Sequence, residues 1–347
     1  MSSRVRSLFI ASGAVAALLV SACGVASQPA AGGQPSELRL GYYANLTHAP
    51  ALVGVHDGYF QHELGSVALK TNVFNAGPDA VTALLSNSID ATYVGPNPAI
   101  NAFIQSHGEA IRIVSGATSG GAELVVNDSI QSATDLKGKT LSSPQLGNTQ
   151  DIALRWWLKQ QGYGVNSQGG GDVKIVPQDN ASTLTAFEAG RIDGAWEPEP
   201  WATRLVLEGK GHVLVDERSL WPSGEFTTVM LAVRTDFLNR YPTTVQHLLA
   251  GQLKAIDFMQ QNPAQAQKDA NAQITSITGK ALKDATVAAA WPHMTFTMDP
   301  IAASLKTSAD HAFQLGLLKD EKLDGIYSIT ILNNVLVAAG RPAVVAS

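Results

Sequence analysis

The sequence predicts an α/β fold in two similar lobes with a ligand cleft between them. Two observations lead there. From Leu38 onward, short strand-type apolar runs alternate with helix-type stretches, which argues for α/β rather than a sandwich or a bundle. The chain also says one phrase twice: TALLSNSIDATYVGPNPA at 82–99 and TAFEAGRIDGAWEPEPWA at 185–202. Without gaps, Thr82 aligns with Thr185, Ala83 with Ala186, Ile89 with Ile192, Asp90 with Asp193 and Tyr93 with Trp196. Each copy has the form helix end, turn, Ile-Asp, short strand, Pro-containing loop, and two such units far apart suggest two lobes built alike.

The elements follow in order. Residues 38–42 alternate as a short strand. Thr47 as N-cap and Pro50 in the first turn open a helix over 48–57. Strands are expected at 67–74, 91–94, 111–115 and 123–126, with helices at 78–86 and 98–105 between them. A turn at 136 leads into a strand ending at 141. Ile152, Leu154, Trp156, Trp157 and Leu158 mark a strong helix over 149–161. The Gly-rich stretch 162–171 reads as a surface loop. Strands at 173–176, 194–196, 213–215 and 228–234 and helices at 182–189 and 201–208 complete the alternation. Residues 236–347 read as mainly helical, with Pro242, Pro263, Pro292 and Pro300 near helix starts.

Residues 1–22 read as a targeting segment, with Arg4 and Arg6 ahead of an apolar stretch at 8–20 that is too short for a comfortable membrane span. It ends Val20-Ser21-Ala22-Cys23, which resembles the bacterial lipobox, whose cysteine carries the lipid. Cys23 is the only cysteine, so a disulfide within the chain is impossible and lipid attachment is expected at that thiol. Residues 23–37, small, polar and rich in Pro and Gly, read as a flexible tether. Loss of Arg4 and Arg6 leaves 22 Lys+Arg against 29 Asp+Glu, a net charge of −7. Mild acidity without a Lys/Arg cluster argues against nucleic acid. The expected location is the extracytoplasmic face of a cell membrane, held by the lipid. Strand order places lobe 1 at 38–118 and 226–347 and lobe 2 at 119–225, with two crossings forming a hinge.

Five phrases carry a family resemblance: LRLGYYANLTHAPALVG with DGYF, LLSNSIDATYVGPNPAINA, LKGKTLSSPQLGNTQDIALRWWL, FEAGRIDGAWEPEPWATRLV and LVDERSLWPSGEFTTVMLAVR. Together they resemble the substrate-binding lipoproteins of nitrate/sulfonate/taurine ABC importers, the aliphatic-sulfonate-binding branch above all. The resemblance implies a two-lobed periplasmic-binding-protein-like (type II) fold. It also implies a monomer that closes on a small anionic, sulfonate-like solute, docks on a membrane permease and does no chemistry on the solute.

Several candidate helices begin after loops of small polar residues. Helix N-termini offer unpaired N–H groups and the positive end of the macrodipole, and several aimed at one cleft make an anion site without a buried Lys or Arg. On this reading and the resemblance, the candidate ligand-binding residues are Thr47, His48, Asn97, Asn148 and Thr149, with Ser115 and Gly116 at a strand end. Trp196 is a candidate to cover an alkyl group. Glu197 is the awkward member: a carboxylate beside an anion is unfavourable unless a cation intervenes, such as Arg204, Lys210 or a ligand ammonium. Nitrate, taurine and bicarbonate are alternative ligands.

Besides a structural or adhesive lipoprotein, which would need no closed cleft, two other classes are weighed. His56, Asp57, His62 and Glu63 are metal-ligand types close together, yet no HxH or HExxH pattern occurs, and neither metal nor cofactor is expected. An enzyme of the same general fold, acting on a pyrimidine precursor, is the other. There is no GxSxG, no Walker A and no catalytic cysteine, and GGAEL (120–124) and QGGGD (168–172) lack phosphate-binding spacing. No enzymatic activity is expected.

Overall fold

The computed structural model describes residues 33–346. The targeting segment 1–22, Cys23 and the tether as far as residue 32 lie outside the described residues. Among those described are eleven strands: β1 (Glu37–Tyr43), β2 (Ala68–Phe74), β3 (Ala91–Val94), β4 (Ile111–Gly120), β5 (Ala122–Val126), β6 (Thr140–Ser143), β7 (Lys174–Pro177), β8 (Gly194–Pro198), β9 (His212–Asp216), β10 (Thr227–Arg234) and β11 (Met294–Phe296). They form one sheet in the order β11-β4-β10-β3-β1-β2 and a second in the order β7-β6-β8-β5-β9. In the first, β2, β1 and β3 run parallel and β10 antiparallel to β3. In the second, β7, β6 and β8 run parallel and β5 antiparallel to β8.

The two sheets thus share one plan, and each takes a strand delivered by a crossing. Sheet membership changes at Gly121, between β4 and β5, and again between Asp216 and Thr227. We propose that the lobe borders fall at these changes. Gly120 and Gly121 have φ of 75° and 74°, a left-handed pair that glycine alone adopts without steric cost. Two apolar clusters, around Leu40/Leu231 and Ile100/Met230, cover the two faces of the first sheet; two more, around Leu124/Trp196 and Val125/Phe187, cover the second. Each lobe is therefore a sheet between helical layers, which is why its inner strands read as nearly continuous apolar runs.

The repeated phrase is a matched brace. Asn87 and Gly190, equivalent in the two copies, turn the chain out of their helices with φ of 61° and 65°. Asp90 Oδ2 then accepts from the Arg39 N–H at 2.9 Å, and Asp193 Oδ2 accepts from the Thr140 N–H at 2.9 Å. Arg39 and Thr140 lie on β1 and β6, the parallel neighbours of β3 and β8. The backbone reciprocates: Asp90 N–H donates to the Arg39 carbonyl and Asp193 N–H to the Thr140 carbonyl. In each lobe one carboxylate thus fixes the register of the strand pair whose carboxyl ends reach the cleft.

The expectation of a mainly helical C-terminal part misses β11. Pro292 sits in the short turn Trp291–His293 that feeds this three-residue strand, which pairs with the far end of β4. β4 itself runs to Gly120, beyond the expected 111–115, and β11 covers the edge this leaves. Among the described residues no helix is long and apolar enough to cross a membrane.

Candidate functional site

The carboxyl ends of β1, β3, β6 and β8 face each other across the gap between the sheets, the position where open α/β sheets bind ligands. The lobes are in contact there. Trp201 Nε1 donates to Asn45 Oδ1 at 2.8 Å, and the Thr47 N–H donates to the Glu199 carbonyl at 3.3 Å. Trp156 stacks on His311 with ring centroids 4.2 Å apart, and Gln145 donates to Asp79 at 3.1 Å. Between these contacts lies a cavity of about 20 Å³, room for about one water molecule.

From the first lobe the cavity is lined by Tyr43 at the end of β1, by Asn45, Thr47 and His48 after it, by Asn75 and Ala76 after β2, by Gly95 after β3, and by Thr228 and Val229 of β10. From the second lobe come Asn148, Thr149 and Gln150 after β6, Asn180, and Pro198 at the end of β8. No Lys, Arg, Asp or Glu lines it. Helix Thr149–Gln160 is preceded by Asn148 in extended conformation, whose side chain makes no cap bond. Helix Pro96–Gln105 likewise follows an extended, uncapping Gly95. First-turn N–H groups therefore lack the side-chain acceptor that usually satisfies one of them.

Two hydroxyls among the lining residues, Tyr43 Oη and Thr149 Oγ1, are buried with no hydrogen-bond partner. Burial raises the Tyr43 phenol, so it stays protonated and able to donate. His48 is 2 % exposed, and burial pushes its imidazole down to about 3. It is neutral at pH 7. Its Nδ1 accepts from the Tyr43 N–H at 3.4 Å, which leaves the proton on Nε2. The site is a set of neutral donors, two of them unsatisfied, an arrangement that suits an acceptor-rich, negatively charged solute.

Of the residues expected from sequence, Thr47, His48, Asn148 and Thr149 come together here. Asn97, Ser115, Gly116, Trp196 and Glu197 do not line the cavity, each for an identifiable reason. Asn97 lies inside helix Pro96–Gln105 rather than before it, and its amide donates to the Ser308 carbonyl at 3.1 Å. Ser115 and Gly116 fall mid-strand because β4 continues to Gly120. The Ser115 hydroxyl accepts from Gln252 at 3.1 Å, and a Cβ on Gly116 would lie 2.0 Å from the Asp299 carbonyl oxygen. Trp196 is fully buried in the second lobe, donating from Nε1 to Glu217 Oε2 at 2.8 Å with its ring edge-on to Trp157. Its counterpart Tyr93 is also turned into its own core, donating to Gln252 at 3.0 Å.

Glu197 is fully buried behind Asn180. With its amide oriented to suit both neighbours, Asn180 donates to Glu197 Oε2 and accepts from Trp201 Nε1, each at 3.1 Å. Burial pushes the Glu197 carboxyl well up, which disfavours its charged form and so its opposition to an anion. Glu197→Gln is accordingly expected to raise stability at pH 7, because the amide avoids the cost of burying a carboxyl that ionises when unfolded. A carboxyl raised in the folded state stabilises fully below its unfolded value, near 4.3, and that contribution is lost as pH rises through the folded value. Glu217, pushed up to about 7 by burial, has the same sign. His48 has the opposite sign, stabilising above about 6.5 and losing that contribution as pH falls. Urea midpoints of the wild type should therefore fall as pH rises from about 6 through the Glu217 value of about 7, and less steeply in Glu197→Gln. Equal slopes would place the Glu197 proton elsewhere.

The residues that sequence reasoning passed over are Tyr43, Asn45, Asn75, Gly95, Gln150, Asn180 and Thr228. The usable signal was positional: Asn75 lies two residues ahead of helix Gly77–Leu85 and Asn180 opens helix Asn180–Glu188, much as Asn148 directly precedes its own.

Two sheets of one plan joined by two crossings, with an interlobe cavity of neutral donors, define a two-lobed solute-binding protein of the periplasmic-binding-protein fold. Residues 31–276 match the NMT1-like family, and the chain belongs to that family. The taurine-binding periplasmic protein of Escherichia coli is 29 % identical over 202 residues, 57 % of this chain and 59 % of that one. A binding protein of Brucella abortus is 27 % identical over 255 residues, 71 % of this chain and 72 % of that one. The alkanesulfonate-binding protein of Xanthomonas axonopodis pv. citri, solved bound to MOPS, superposes with a TM-score of 0.69 at 21 % identity, covering 84 % of this chain and 97 % of that one. These are binding proteins, and the chain is a binding protein rather than an enzyme.

Proposed function

We propose that the chain is the extracytoplasmic, lipid-anchored solute receptor of an ABC importer, and that it delivers a small organic anion, an aliphatic sulfonate, to a membrane permease. The observation that carries this reading is the pair of buried, unpartnered hydroxyls, Tyr43 Oη and Thr149 Oγ1, contributed by opposite lobes to a cavity lined by no Lys, Arg, Asp or Glu. A sulfonate head presents three acceptor oxygens to such donors. Beside the cavity runs a groove of about 520 Å³ that shares Asn45, Asn75 and Asn180 with it and is lined further out by Trp201, Arg204 and Leu282. The groove gives an alkyl tail an apolar wall and an exit. The small volume of the inner cavity favours a second reading, nitrate or bicarbonate, in which the outer groove is unused.

Thermal shift with ethanesulfonate, longer alkanesulfonates, taurine, nitrate and bicarbonate separates these. Alkanesulfonates are expected to stabilise by about 2.7 kcal/mol at a hundredfold excess over Kd, with affinity rising along the chain-length series. Thr149→Ala should weaken binding by about 1.5–3 kcal/mol, the range for a hydrogen bond to a charged group. A response to nitrate or bicarbonate alone would move the assignment to the small inorganic anions, and silence across the panel would end it. For the anchor, Cys23→Ser is expected to release the protein from the membrane fraction; a variant that still partitions there is not held by that thiol.

A further inference from the structure

We propose that Glu123, Glu199 and His293 form a binding site for a divalent transition metal of the zinc class, bridging the two lobes beside their hinge. Glu123 lies on β5 and Glu199 just after β8, both in the second lobe. His293 precedes β11, at the edge of the first sheet. His293 Nδ1 is 2.7 Å from Glu199 Oε1 and 3.2 Å from Glu123 Oε1, and one ligand atom from each residue lies within 4.8 Å of the others. Zinc bonds of about 2.0–2.2 Å in tetrahedral geometry place ligand atoms roughly 3.3 Å apart, so a cation enters with small side-chain movements. One imidazole with two carboxylates is a borderline-to-hard donor set, suited to zinc and ill suited to copper(I).

A second observation points to a ligand. Glu123 is 3 % exposed, and its Oε2 is buried without any partner while Oε1 faces His293. A buried carboxylate oxygen without a donor is unfavourable, and a cation between these three groups would satisfy it. Glu199 is oriented as metal-bound carboxylates are: Thr203 donates to it from its N–H at 3.1 Å and from its hydroxyl at 2.8 Å. The His293 side chain is 30 % exposed, which leaves an entry path and an open coordination position for water. The nearby Arg218 guanidinium is occupied by Asp216, at 2.6–3.1 Å, so it does not fill the cation's place. The three ligands are too far apart in sequence for any spacing motif to reveal them. A metal here would tie the lobes together without touching the solute cavity.

The test is titration of the full chain with zinc chloride, in the absence of any solute, followed by calorimetry. One zinc per chain is expected, with affinity reduced at least tenfold in both Glu123→Gln and His293→Asn. His56→Ala, which removes the separate cluster of exposed His56 and Asp57 with buried Asp269, should bind as the wild type does. Cobalt supplies a second readout: the visible absorption of the bound ion should disappear in His293→Asn while far-UV circular dichroism shows the variant folded. Absence of zinc binding overturns the proposal and leaves the triad an ordinary ion-paired contact. Binding unchanged in His293→Asn, or lost in His56→Ala, overturns it too. Because no solute is present, the result stands apart from the sulfonate assignment.

Discussion

Gly95→Val is expected to weaken solute binding about ten- to hundredfold while leaving each lobe folded. Gly95 has φ −70° and ψ 159°, an extended conformation that any residue adopts, so the substitution introduces no backbone strain. Its effect comes from across the cleft. A Cβ at this position would lie 2.3 Å from Thr149 Oγ1, on the opposite lobe, and 3.5 Å from the Thr228 carbonyl oxygen. Inserting such bulk into a packed contact costs about 1–3 kcal/mol, and each 1.4 kcal/mol is about tenfold in affinity. The penalty applies only where the lobes meet, so it falls on the closed state and is subtracted from binding. Calorimetry should show the affinity loss. Small-angle scattering should show that saturating ligand no longer reduces the radius of gyration, with the unliganded melting temperature little changed. Wild-type affinity in Gly95→Val would mean that the solute is bound without this lobe contact.

The outcome also bears on what the sequence could reveal. Strand and helix alternation was legible because each lobe's inner strands are covered on both faces and its helices on one, and those burial patterns have different periods. Thr47, His48, Asn148 and Thr149 were legible because they sit where a loop enters a helix, and such junctions carry caps and small polar residues whatever the fold. Ser115 and Trp196 were misplaced for the opposite reason. A strand that runs a few residues further than its apolar pattern suggests moves a supposed end into the middle, and alternation then turns its side chains away from the cleft. Asn45 and Asn75 carry no periodic signal, and an asparagine in a loop looks the same whether it stabilises a turn or faces a ligand. The repeat was visible as an Ile-Asp pair. Its physical role, each Asp accepting from the N–H of the neighbouring strand, needed the register of β1 with β3 and of β6 with β8.

Asp151→Asn is expected to destabilise the protein by about 3–5 kcal/mol and to weaken solute binding as well, although Asp151 does not line the cavity. Its carboxylate is fully buried in the first turn of helix Thr149–Gln160 and paired with Arg155, whose side chain is 1 % exposed. One oxygen accepts from Arg155 Nε at 2.9 Å and from the Ser143 hydroxyl at 2.8 Å, and the other from the Gly147 N–H at 2.9 Å. The carboxylate therefore ties the end of β6 and the following loop to the helix that carries Asn148 and Thr149 into the cleft. Arg155 is already short of partners: Nη1 donates to the Asn166 carbonyl at 2.7 Å, and Nη2 has none. Removing the negative charge leaves a buried guanidinium uncompensated, which costs more than the hydrogen bonds alone. Replacing the pair by apolar residues, Asp151→Leu with Arg155→Leu, removes both charges and should recover part of the stability, because no unpaired charge remains. It should not recover binding, since nothing then holds the Gly147 N–H and the Ser143 hydroxyl. Urea unfolding of the single and double variants, with solute calorimetry alongside, separates the electrostatic cost from the positioning role. If the double variant binds as tightly as the wild type, the loop is positioned by the helix alone and the carboxylate serves stability only.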